Sequence, residues 1–180
     1  MSLKKRDVPS HLLWLDMEMT GLDVEKERPI EVAAIITDTK FVEVSRFHAV
    51  IFQPQSLLEK MDDWNRTHHG KSGLLKQIPM GKSMDVVDQE LAQMIDDVFH
   101  GERAILAGNS IGQDKLFIDR YFLKTAERIH YRTLDVSSWK VVFQTLYGEF
   151  YDKKESHRAT DDILESIQEL KHYLEFVKAP

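Results

Sequence analysis

His11-Leu-Leu-Trp-Leu-Asp-Met-Glu-Met-Thr20 alternates with a period of two. Leu13, Leu15, Met17 and Met19 therefore fall on one side of a strand, and Trp14, Asp16 and Glu18 on the other. Asp is disfavoured in strands, and two acids sharing a face lie close enough to repel. A bound divalent cation turns that repulsion into attraction, because Mg²⁺ takes oxygen ligands. An amphipathic strand whose polar face meets water fits the segment equally well. The run alone leaves both readings open.

Around this strand the chain has 180 residues, 42% hydrophobic and 30% charged, the make-up of a water-soluble globular protein. That length suits one domain, expected over residues 11–180 after a loosely ordered leader at 1–10. The basic opening Met1-Ser-Leu-Lys-Lys-Arg6 is followed by no apolar stretch of the signal-peptide kind, and no run is long enough to span a membrane. With no cysteine, disulfides and thiolate zinc sites are excluded, which fits a cytoplasmic location. The net charge of -6 argues against a protein that coats nucleic acid polymers, since such grip comes from Lys and Arg on phosphates. A short nucleic acid held by metal ions and a few local cations stays compatible with it.

Thr20-Gly-Leu-Asp reads as a turn, and residues 30–37 and 41–52 as two further strands joined in a hairpin. A helical region at 56–77 is expected to break at Gly70 and Gly73. A long helix from Ser83 presents Val87, Leu91, Met94 and Val98 on one face and is expected to end at Gly101. Then come a short strand at 104–107, a helix at 111–125, a strand at 130–136 and a helix at 137–147. The last helix, 160–177, carries Ile163, Ile167, Leu170, Leu174 and Val177 at helical spacing. Strands first and alternating elements after predict an α/β fold, a mixed β-sheet flanked by helices.

Three more positions offer metal-binding chemistry. Asp114, in Gly108-Asn-Ser-Ile-Gly-Gln-Asp-Lys-Leu-Phe117, falls early in a helix that leaves the sheet. A first-turn acid complementing the helix dipole explains it as well. His157 and Asp162, in Ser156-His-Arg-Ala-Thr-Asp-Asp-Ile163, flank the start of the last helix. Thr160 as N-cap, with Asp161 and Asp162 in the first turn, accounts for the aspartates without a metal. It does not account for His157.

Together, Asp-x-Glu on the first strand, Asp on a middle helix and His-x₄-Asp on the last resemble the DEDDh exonuclease superfamily, which implies a ribonuclease-H-like sheet. The resemblance runs from Leu13 to about Tyr173. Its further motifs are Leu15-Asp-Met-Glu-Met-Thr-Gly-Leu-Asp23, Met61-Asp-Asp-Trp64, Gly108-Asn-Ser-Ile-Gly-Gln-Asp114, His130-Tyr-Arg-Thr-Leu-Asp-Val-Ser137 and His157-Arg-Ala-Thr-Asp-Asp162. Asp-x-Glu by itself is common. Five motifs in order resemble the oligoribonuclease family specifically.

That resemblance implies a 3′→5′ exoribonuclease of very short RNA, dinucleotides above all, releasing nucleoside 5′-monophosphates. It assigns two divalent ions, Mg²⁺ or Mn²⁺, to Asp16, Glu18, Asp114 and Asp162, and the general base to His157. Two such ions about 3.5–4 Å apart activate the water and stabilise the leaving 3′ oxygen. It also implies that Leu22 wedges between bases and that Trp64 and Tyr131 stack on them. Tyr131 is counted in the active site and, with Arg132, is expected to reach it from the partner of a homodimer. His69, Ser110, Arg132 and Ser137 are expected to close over the substrate's 5′ phosphate. Trp64-Asn-Arg-Thr-His-His-Gly70 offers both His68 and His69, and the spacing from Trp64 favours His69. Asp135 has no assigned role, since it also suits a cap on the next helix.

A proofreading subunit or a ribonuclease T-like trimmer would share the metal ligands but lack Trp64 and the 130–137 segment. A non-catalytic nucleic acid binding module would lack one or more ligands, and all five catalytic positions are present.

Overall fold

A computed structural model describes residues 9–152 and 158–177. The opening run forms strand β1 (His11–Met19), which pairs antiparallel with β2 (Pro29–Asp38), and β2 with β3 (Glu43–Val50). Helices α1 (Gln55–Leu58), α2 (Asp63–Lys71) and α3 (Leu74–Gln77) and a 3₁₀ turn follow, then α4 (Met84–Phe99). Strand β4 (Ala104–Gly108) runs parallel to β1, and β5 (Ile129–Asp135) parallel to β4. Between them lie α5 (Gly112–Tyr121) and α6 (Leu123–Ala126). After β5 come α7 (Val136–Val142), a π-helical turn (Phe143–Tyr147) and α8 (Ala159–Glu175). The sheet order is β3-β2-β1-β4-β5, which places β1 in the middle.

The alternation in β1 serves two cores. Leu13, Leu15, Met17 and Met19 pack with Val87, Leu91, Ile95 and Phe99 of α4 and with Phe117 and Ile118 of α5. Trp14 packs on the other face with Ala33, Ile35 and the α8 residues Ile163, Ile167, Leu170 and Tyr173. The second face of β1 thus meets helix α8 rather than open water. Its C-terminal half, Asp16 and Glu18, is left partly accessible. Being covered on both faces also explains the almost unbroken apolar run of β2.

Several expected boundaries move, each for a local reason. Gly70 lies inside α2, and the break comes at Gly73, whose φ of +77° suits glycine. Helix α4 ends in two left-handed residues, His100 and then Gly101. The expected 111–125 helix divides at Phe122, which leaves the helical region. Helix α8 begins at Ala159 with Arg158 in the N-cap position, so Thr160 is not the cap. Val177 lies beyond that helix and is half exposed instead of core. Gly108 closes β4, where a Cβ would stand 2.8 Å from the Leu15 carbonyl oxygen. That close approach lets the chain turn from β4 towards α5 directly beside β1.

Candidate active site

Asp16 and Glu18 project from β1 onto the face that α8 crosses, and Asp162 comes from the first turn of α8. Carboxylate oxygens of all three lie within 4.8 Å of one another. The apolar side of α8 fixes this convergence. Ile163, Ile167 and Leu170 seat the helix on the sheet, and Asp162, one position before Ile163, is carried to its rim.

Like charges gathered this closely oppose ionisation. Burial pushes the Glu18 carboxyl up to about 7, and the neighbouring charges of Asp162, Glu31 and Asp114 add to the effect. Arg158 pulls the other way. An all-oxygen donor set of three carboxylates matches what hard divalent cations require. The residues present fit such ions.

Asp114 occupies the first turn of α5, as expected, but it is buried rather than a surface acid on the helix dipole. Its Oδ1 accepts the backbone N–H of Met17 at 2.9 Å. Pairing between β1 and β4 ends at the Trp14–Ala107 pair, so the Met17 N–H finds no partner on β4 and donates to Asp114 instead. Burial raises the Asp114 pKa. Asp114 is not one of the three acids with converging oxygens, although its charge is felt at Glu18.

From α2, His69 reaches the end of β1, where the pairing with β2 shifts register between Glu18 and Met19. Its Nε2–H donates to the Met19 carbonyl at 2.9 Å, which leaves Nδ1 3.8 Å from Glu18 Oε2. Burial lowers its pKa, favouring the neutral ring. His68 instead donates from Nδ1 to the Trp64 carbonyl and stacks on the indole at 3.8 Å. Of the two histidines, His69 faces the acidic cluster. Trp64 is 61% exposed and Leu22 74%, so neither is core. Gln113 of α5 holds the Leu22 turn by donating to its carbonyl.

A second polar group forms where β4 and β5 end. The Ser110 N–H donates to Asp135 Oδ1 and Ser137 Oγ, and the two serine hydroxyls are 3.0 Å apart. Asp135 also accepts the Ser137 N–H, capping α7. Ser137 Oγ donates to Asn109 Oδ1, and Asn109 Nδ2 donates to Ser166 Oγ and to Glu169 Oε2. Tyr131 and Arg132 lie apart from this group, exposed on the edge strand β5, with the guanidinium over the Tyr131 ring. His157 lies outside the described residues.

Sequence reasoning missed Glu31, Arg158, Asn109 and Glu169. Glu31 had a readable signal, a single acid inside the apolar Pro29-Ile-Glu-Val-Ala-Ala-Ile-Ile36 run. Nothing in the sequence pairs it with Arg158, 127 positions away, whose Nε and Nη2 both donate to Glu31 Oε1.

Comparison with known proteins accords with this geometry. The exonuclease family RNase_T matches residues 13–170. An oligoribonuclease of Bordetella pertussis is 42% identical over 173 residues, covering 92% of this chain and 94% of its own. One from Azoarcus sp. is 39% identical over 170 residues, covering 92% and 93%. The human mitochondrial oligoribonuclease is 40% identical over 168 residues, covering 90% of this chain and 71% of its own. Among solved structures, exonuclease I from Methylocaldum szegediense superposes with a TM-score of 0.73 at 14% identity, over 93% of this chain and 40% of that one. Escherichia coli exonuclease I in complex with a dT13 oligonucleotide gives 0.69 at 14%, over 91% and 41%. The chain thus spans about two fifths of these solved chains, and at that identity they show its fold alone. At about 40% identity over nearly the full length of the bacterial relatives, the chain belongs to the oligoribonuclease family of exonucleases.

Proposed function

We propose that this protein is a metal-dependent 3′→5′ exoribonuclease that degrades very short RNA, dinucleotides above all, to nucleoside 5′-monophosphates. The observation that carries the reading is the convergence of Asp16, Glu18 and Asp162 within 4.8 Å, in a chain of this family. Asp16, Glu18, Asp114 and Asp162 would hold two divalent ions, Mg²⁺ or Mn²⁺. When bound, such ions supply an activated water and stabilise charge on the leaving 3′ oxygen.

The remaining roles fall to side chains. His157 accepts the proton of the attacking water at its imidazole, the role that the family resemblance gives it. Leu22 and Trp64 offer exposed apolar surface for base stacking, which contributes roughly 1–3 kcal/mol per base without selecting sequence. Ser110 and Ser137, already joined to each other, and Arg132 and His69 close over the 5′ phosphate. A closed end there limits the length of RNA that fits.

Arg132 and Tyr131 complete this pocket from the partner of a homodimer. Two features support that. In β5 they precede Asp135 by three and four residues, so Tyr131 lies roughly 13 Å along the strand from the Ser110–Ser137 group at about 3.3 Å per residue. The segment just after β5 leaves Val141, Leu146, Tyr147 and Phe150 more than 60% exposed, apolar surface that a second copy would cover. No helix among the described residues is long and apolar enough to cross a membrane, and the cysteine-free sequence fits a cytoplasmic setting.

Chelation tests the reading. Excess chelator should abolish hydrolysis of a 5′-phosphorylated dinucleotide, and added Mg²⁺ or Mn²⁺ should restore it. Asp16→Asn should be inactive yet folded. His157→Ala should lose about 10²–10⁴-fold in turnover while keeping metal affinity. Undiminished hydrolysis in excess chelator would contradict the metal reading.

A further inference from the structure

Glu18 and Glu31 are direct cross-strand partners on β1 and β2, and both belong to the face that α8 covers. The Glu31 side chain is almost wholly buried. Its Oε1 accepts from Arg158 Nη2 at 2.7 Å, from Arg158 Nε at 3.1 Å and from His48 Nε2 at 2.7 Å. Its Oε2 is buried with no hydrogen-bond partner among the described residues. A buried carboxylate with one oxygen left unsatisfied is costly, and such a group persists where its geometry is needed.

Arg158 occupies the N-cap position of α8 but makes no side-chain cap. Its side chain is spent on Glu31 instead. Its backbone carbonyl meanwhile accepts the N–H groups of Asp161 at 2.9 Å and Asp162 at 3.1 Å. The contacts therefore close a ring. Glu18 pairs with Glu31 through the sheet, Glu31 holds Arg158, Arg158 holds the backbone of Asp162, and the Asp162 carboxylate returns to Glu18.

We propose that the Glu31–Arg158 pair is a positioning clamp that sets the first turn of α8 against the sheet and so fixes the spacing of Glu18 and Asp162 as cation ligands. In that role both act through Glu18 and Asp162 and need no contact with the substrate. The inference rests on the reading that this carboxylate cluster binds divalent cations. Groups that orient metal ligands commonly change affinity by about 10–100-fold when removed.

Electrostatics and positioning predict opposite signs for one substitution, which makes the clamp testable. Removing the Arg158 charge, which acts on Glu18, should strengthen cation binding if charge alone matters. Loss of the clamp should weaken it. The experiment is calorimetric titration of the full-length, metal-free protein with Mn²⁺, for wild type, Asp16→Asn, Arg158→Gln, Arg158→Lys and the Glu31→Gln/Arg158→Gln double variant. The double variant leaves no unpaired buried charge, so it keeps the test open should Arg158→Gln fail to fold. Expected are an affinity loss of about tenfold or more in Arg158→Gln and the double variant, and partial recovery in Arg158→Lys. Unchanged or tighter Mn²⁺ binding in the folded double variant overturns the clamp. If wild type itself binds no Mn²⁺, or Asp16→Asn binds it equally well, the cation reading fails and takes the clamp with it.

Discussion

Asp114 Oδ1 accepts the Met17 backbone N–H at 2.9 Å, tying the first turn of α5 to the middle strand where β4 no longer pairs with it. One carboxylate thus completes the hydrogen bonding of β1 and brings negative charge to Glu18 from behind. The two duties separate on substitution. Asp114→Asn retains a carbonyl oxygen for Met17 and should stay folded while losing turnover. Asp114→Ala leaves a buried N–H unsatisfied and should unfold more easily by roughly 1–3 kcal/mol than the Asn variant in denaturant melts. Equal stability of the two would show that the Met17 bond contributes nothing.

Glu18 predicts a pH dependence of the metal-free fold. Its folded-state pKa of about 7 lies above the ordinary 4.5, chiefly through burial. Its contribution to stability is therefore fully present below pH 4.5 and lost as the pH rises through 7. The shift corresponds to roughly 3 kcal/mol. In chelator, Glu18→Gln should show a shallower fall in melting temperature over that range than wild type. Added Mg²⁺ or Mn²⁺ should raise the wild-type melting temperature more at pH 7.5 than at pH 5, since protons no longer compete. A cation effect equal at both pH values would count against the site.

Trp64 should matter to substrate and little to the fold. Trp64 is 61% exposed, and its indole stacks on His68 within α2. Trp64→Ala should weaken dinucleotide binding by roughly 1–3 kcal/mol with a nearly unchanged melting temperature. A large loss of stability with unchanged affinity would make Trp64 a structural residue.

Complementation tests the shared pocket. Asp16→Asn and Tyr131→Ala proteins should each be nearly inactive. In a mixed dimer the Asp16→Asn protomer would supply Tyr131 to the intact carboxylates of the other, so refolding the two together should recover up to one working site per mixed dimer. A fully active monomer by sedimentation would refute the arrangement, as would an absence of recovery.

The strand of Asp16 and Glu18 and the apolar faces of α4 and α8 were legible because periodicity survives in a linear sequence. What β1's polar face meets was not. Trp14 alternates with Asp16 and Glu18, yet it is fully buried under α8 while they stay partly accessible, and where α8 lies on the sheet is not written in the period-two pattern. The acids of the cluster were readable as motifs, but the bond from Asp114 to Met17 spans 97 positions and depends on where β4 stops. Likewise, Arg158 reads as an ordinary surface cation before a helix. Its role at Glu31 emerges only when the last helix is laid across the second strand.

A metal-dependent pocket closed at the 5′ phosphate would confine the enzyme to very short RNA. The most direct measurement is turnover of 5′-phosphorylated RNA from two to seven nucleotides, with and without Mg²⁺, in wild type and Arg132→Ala. Metal-dependent release of nucleoside 5′-monophosphates is expected, fastest for the dinucleotide and falling steeply with length. Arg132→Ala should flatten that preference and weaken dinucleotide binding by roughly 1.5–3 kcal/mol. Equal turnover of the two- and seven-nucleotide substrates by the wild-type protein would contradict it.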